Sequence, residues 1–136
     1  TRKRPWIDRL ASAWLIKTFI DSTPTFIWLE TPSECPEEAL GFDFDGAAFS
    51  HINHWVTFEV LLHSFNLETP ALKKIAEIVH YLDIGGIEPP EASGIETVFA
   101  GIHENITDDD QLLVASNAIF NGLLSSFNKN SSVLND

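Results

Sequence analysis

Thiols are nearly missing from this sequence: Cys35 is the one cysteine, and there is no methionine. An intrachain disulfide and a cysteine-rich zinc site are therefore excluded. Basic residues are also scarce, 8 against 20 acidic ones, for a net charge of −12. Such a field repels a nucleic-acid backbone, so direct contact with DNA or RNA is not expected. No apolar run reaches the roughly 18 residues that cross a bilayer, and the first residues lack the apolar core of a secretory signal, so no membrane contact and a cytoplasmic location are expected. Neither a Gly-rich phosphate loop nor a Gly-x-Ser-x-Gly elbow occurs; Gly85-Gly86 stands outside any such pattern. Nucleotide-binding and serine-hydrolase readings therefore lack support.

What remains is the material of one domain, 136 residues with 44% hydrophobic side chains, enough to bury a core without staples. Ile7 to about Asp21 is apolar almost all round, which predicts an interior helix ended by Pro24. "TFIWLE", Thr25 to Glu30, is β-branched and aromatic between prolines and reads as a short strand. A helical turn is expected from Glu34 to Leu40, stopped by Gly41, and "FDFDGAAFSH" then alternates apolar and acidic residues as a second extended segment near the first. From Trp55 the period is helical, with Trp55, Phe58, Leu62 and Phe65 in register. Pro70 opens a further helix through Leu72, Ile75, Val79 and Leu82 that ends at Gly85. Two more follow, one carrying Ile95, Phe99 and Ile102 and one from about Asp108 to Phe127. The expected architecture is mainly α, a single helical domain over 1–127 with a minor two-stranded β element. Residues 128–136 are expected to be a polar, frayed tail.

Several ionisable groups fall on the wrong side of these helices. At about 100° per residue, Glu59 lies between Trp55 and Val56, and Asp83 lies about 20° from Leu72, inside the apolar stripe. His80 flanks that stripe at i, i+3 from Asp83. Inward carboxylates need partners. One shared cation would satisfy both, with His51, in the segment entering the Trp55 helix, as a further ligand. The candidate metal set is His51, Glu59, His80 and Asp83, a donor mix suited to Zn, Mn or Fe, divalent or trivalent. A buried polar cluster, with Glu59 paired to Arg4 or Arg9, is the alternative. His63 is a reserve ligand, while His54 and His103 read as surface residues.

Half of the cations, Arg2, Lys3, Arg4 and Arg9, stand within the first nine residues. They read as a solvated arm or as a small anion site, with Arg2, Arg4 and Arg9 offering guanidinium forks to an oxyanion. Asp8 is expected to cap the first helix or to pair with Arg9, supporting the ligands from behind. "TDDDQ" reads as a helix start, with Thr107 or Asp108 as cap and Gln111 closing a capping box.

"TRKRPWIDRLASAWLIKTFID", "FSHINHWVTFE", "PALKKIAEIVHYLD" and "DDDQLL", in that order, resemble the chromate resistance family, the domain that forms the C-terminal part of the chromate-sensing regulator ChrB and also occurs alone. The resemblance runs from Thr1 to about Phe127. It implies a domain linked to chromate resistance, and carries the family's recurrent polar residues onto Arg2, Asp8, Arg9, His51, Glu59 and Asp83. His80 falls where the family has arginine as well as histidine. The family's cysteine before "TFE" is here Val56, and its histidine after the paired aspartates is here Gln111, so neither a thiol step nor a third metal cluster is expected.

Two functions are compatible with these residues. One is a binding or sensing module that holds a metal and presents charge to a small anion such as chromate. The other is a small metalloenzyme, redox or hydrolytic, using the same site. A standalone copy would not itself regulate transcription; a homo-oligomer is compatible with either.

Overall fold

Helix α1, Ile7–Leu15, lies at the centre because most of its circumference is apolar: Ile7, Leu10, Ala11, Ala13, Trp14 and Leu15 are all buried, and the charged pair Asp8 and Arg9 sits in its first turn. In the computed structural model of the chain, residues 1–135 are described, with side chains described through residue 130. The helix continues as expected to Ile20, but its last stretch, Ile16–Ile20, opens into a π-helical turn closed by the Asp21 N–H on the Ile16 carbonyl. The four remaining helices are α2, Thr57–Ser64; α3, Pro70–Ile84; α4, Ala92–Asn105; and α5, Asp109–Asn135.

Their ends follow the chemistry of their first and last residues. Thr69 accepts the Leu72 N–H at the start of α3, with Pro70 in the first turn, and Gly85, at φ 85°, ends that helix. Only a residue without a Cβ takes that conformation freely. Asp108 accepts the Gln111 N–H at the start of α5, as the capping reading expects. Helix α5 runs into the stretch expected to be a tail, and the end of that expectation, 131–136, lies outside the residues whose side chains are described.

α1 packs against α2, α3 and α5, while α4 closes the far side against α3 and α5. The apolar stripes meet in one core, where the Trp14 ring stacks on Phe120 and Phe58 and Phe120 meets Phe99. The Trp14 indole N–H is satisfied by Asn121 at 2.8 Å. Among the described residues, no helix is long and apolar enough to cross a membrane.

The expected β element does not form as a sheet. Among the described residues there are isolated bridges only. Segment 25–30 exchanges hydrogen bonds with Thr1 and Lys3 through Leu29 rather than with the second segment. Residues 42–49 close on themselves, with the Asp43 N–H on the Phe49 carbonyl. Each segment takes its hydrogen bonds elsewhere, so no ladder runs between the two. The two segments are nevertheless neighbours, joined by the Phe26 and Phe42 rings. The helical turn expected at 34–40 is displaced to a 3₁₀ turn at Pro32–Glu34, where a proline begins it.

Candidate metal centre

The loop before α2 is shaped by two local requirements. Gly41 has the Phe44 ring folded against it, and a Cβ there would stand 2.3 Å from a ring carbon. Asp43 follows at φ 58°, a left-handed conformation that aspartate tolerates better than most residues. This turn aims the Asp43 carboxylate at the start of α2, where Oδ1 accepts the Thr57 hydroxyl at 2.8 Å. Arg9, from α1, holds the other oxygen, with Nε 3.3 Å from Oδ2.

Asp8 arrives at the same place from the first turn of α1. It is 2% exposed, and its carboxylate accepts the Thr57 N–H at 3.1 Å and the Phe58 N–H at 3.0 Å. These are orphan donors of the α2 N-terminus, so Asp8 caps α2 from outside instead of capping α1. It does not pair with Arg9, as one reading of the sequence expects, because consecutive helix residues point about 100° apart.

His51 completes the cluster. Its Nε2 lies 3.0 Å from Asp8 Oδ2, 3.1 Å from Asp83 Oδ2 and 3.5 Å from Asp43 Oδ1. Asp8, Asp43 and His51 each offer an atom within 4.8 Å of the other two, and Asp83 reaches the same nitrogen from the last turn of α3, outside that compact group. The imidazole side chain is 41% exposed, so the cluster opens to solvent on one side.

Three carboxylates face one guanidinium here, a formal surplus of two negative charges when all are ionised and His51 is neutral. The surplus is visible in the acids themselves. Burial pushes the Asp8 carboxyl up to about 7, reinforced by the neighbouring Asp43 charge, opposed by the Phe58 N–H, raised further by Asp83 and opposed by His51. Asp83 is raised as well, chiefly by burial, with His51 pulling the other way and Asp43 adding to the rise.

The four residues singled out in the sequence therefore divide into two pairs. His51 and Asp83 meet in this cluster. Glu59 and His80 meet each other, with His80 Nδ1 2.6 Å from Glu59 Oε1, and that same oxygen accepts the Val56 N–H at 3.0 Å. The reason is positional: Glu59 is the third residue of α2 and folds back on its own helix start as a capping carboxylate. His63 is exposed and paired with Glu68, and His103 with Arg4.

The basic arm is not one anion site. Arg4 is committed elsewhere: its guanidinium donates to the carbonyls of His103, Ile106 and Thr107 at 2.7, 2.9 and 3.0 Å, and its backbone N–H to Asp109. It closes the open end of α4 onto α5, a use that leaves no fork for a ligand. Arg2 is exposed, its backbone held at the Leu29 bridge, and no described contact ties its side chain to the acid cluster. Only Arg9 reaches the cluster. Asp43 is the member that the sequence reading missed; the available signal was an aspartate in a tight loop between Gly41 and Gly46.

Residues 1–127 match the family described as ChrB, C-terminal domain. The chain belongs to that family. Protein ChrB of Cupriavidus metallidurans is 49% identical to it over 128 residues, covering 93% of this chain and 40% of the relative. The chain thus spans two-fifths of the length of that ChrB protein. No solved structure matches.

Proposed function

We propose that this ChrB-type domain binds one divalent or trivalent metal ion through Asp8, Asp43 and His51, with Asp83 as a further carboxylate, and that the loaded centre receives a small oxyanion. The observation that carries the reading is a count of protons. One imidazole N–H can be donated to one acceptor, or poorly shared between two, yet three carboxylates have an oxygen within 3.5 Å of the single atom His51 Nε2. A cation satisfies all of them together. The spacing supports this, since ligands about 2.0–2.2 Å from a metal stand roughly 2.9–3.5 Å from each other. Oxygen-rich donors with one imidazole suit manganese, iron or zinc.

Arg9 is the feature that supports the binding of an anion beside the metal. The Arg9 Nε holds Asp43, and its terminal nitrogens have no protein partner among the described residues. They are the donors that an oxyanion beside the metal would use, and membership of the chromate resistance family makes chromate the first ligand to test. Elemental analysis and calorimetric titration of the purified domain with Mn²⁺, Fe²⁺ and Zn²⁺ test the reading. One ion per chain, lost in His51→Ala and Asp43→Asn while the fold is retained, supports it. Metal content near zero, or unchanged in both variants, overturns it.

A further inference from the structure

Away from that cluster, a groove of about 720 Å³ runs between α3 and the connection from α3 to α4. Its volume is in the range of specific ligand sites. Ile87 stands on its wall and is 94% exposed, the most exposed large hydrophobic side chain among the described residues. The adjacent Pro89-Pro90 pair stiffens the wall. On the α3 side, His80 is held in one orientation by Glu59.

The rim is acidic beyond the habit of the chain. Four of its nine lining residues are glutamates, against 20 acids in 136 residues overall. Glu77, Glu88 and Glu91 have no cationic partner among the described residues. The one lining cation, Lys74, places its ammonium over the Phe127 ring, 5.3 Å from the centroid, and forms no ion pair with them. Nor do these acids serve a metal ion: the group of described residues that converges to ligand spacing is the Asp8 cluster.

An exposed aliphatic anchor within a ring of uncompensated carboxylates calls for the opposite arrangement in what covers it. We infer that the groove docks a short peptide segment of another protein, one that sets a bulky aliphatic side chain against Ile87 and the prolines and places lysine or arginine beside Glu77, Glu88 and Glu91. The charge pattern supplies selectivity and the apolar contact supplies hold. This inference is independent of the metal reading, since the groove shares no residue with Asp8, Asp43, His51 or Asp83.

The test is fluorescence anisotropy with a labelled, amidated Lys-Leu-Arg-Lys-Leu-Arg peptide and the full 136-residue chain. Saturable binding is expected, weakened about tenfold in the triple variant Glu77→Gln, Glu88→Gln, Glu91→Gln. Ile87→Ser should weaken it about as much, although it alters no charge. All four side chains are exposed, so the variants should keep the far-UV circular dichroism of the parent. A control triple, Glu37→Gln, Glu96→Gln, Glu104→Gln, removes the same charge elsewhere on the surface and should change affinity by less than about twofold. Absence of saturable binding, an equal loss in the control, or full affinity in Ile87→Ser would each overturn the proposal.

Discussion

Oδ2 of Asp8 accepts the Thr57 N–H at 3.1 Å and stands 3.0 Å from Nε2 of His51. One oxygen thus ties the start of α2 to the imidazole at the centre of the cluster. Removing it should cost twice, in the helix end and in the site.

Asp8→Ala leaves two buried backbone donors of α2 without an acceptor. A loss of about 2–4 kcal/mol is expected from two such groups. Asp8→Asn keeps one acceptor oxygen and should lose less than half as much. Urea denaturation of the metal-free protein at pH 5.5, where the folded-state Asp8 carboxyl still holds its proton, checks both. Equal stability of all three proteins would mean that the cap contributes nothing.

The pH dependence of the metal-free domain follows from the same residue. Asp8 rises from 3.8 to about 7 on folding, so the folded state holds the proton more tightly than the unfolded chain does. Its contribution to stability is therefore complete below about pH 4 and is lost as pH climbs through 7. Asp83 is raised too and acts in the same direction. Thermal melts should show lower stability at pH 7.5 than at pH 5.5. Metal binding, which needs the carboxylates ionised, should strengthen over the same interval and release protons. A metal affinity that falls between pH 5.5 and 7.5 would contradict the ligand assignment.

Arg4 supplies a contrast between structure and ligand binding. Its guanidinium satisfies three carbonyls around the end of α4, and truncation to alanine should destabilise by about 2–3 kcal/mol. The metal content of Arg4→Ala should match the parent's. A variant of normal stability with lost anion or metal binding would restore Arg4 to the site.

Glu59 and His80 are expected to be dispensable for the metal. They satisfy each other at 2.6 Å, so Glu59→Gln and His80→Ala should leave the metal stoichiometry unchanged while lowering stability by about 1–2 kcal/mol. Elemental analysis of the two variants decides the point, and halved metal content in either would return that residue to the ligand set.

The helices were legible because each carries its own record of burial. Leu72, Ile75 and Val79 repeat at helical spacing whatever packs on them, and Asp83 stood out against that stripe. Asp43 left no such trace. It lies in an irregular turn, and its partners His51, Thr57 and Arg9 are brought to it by folding, not by spacing. Angular position marked Glu59 as a carboxylate in need of a partner, but the side chain is only half-buried, at the edge of a groove, and spacing could not tell a capping carboxylate from a metal ligand. The basic arm misled for a related reason. A guanidinium free for an anion and one bound to orphan carbonyls have the same sequence, and the α4 end that consumes Arg4 lies about a hundred residues away.

Anomalous diffraction from crystals of the metal-loaded domain tests the central claim most directly. A single peak is predicted about 2.0–2.4 Å from His51 Nε2 and from oxygens of Asp8 and Asp43. No peak there, with His51 remaining hydrogen-bonded to Asp8 at 3.0 Å in crystals grown with excess metal, would contradict it.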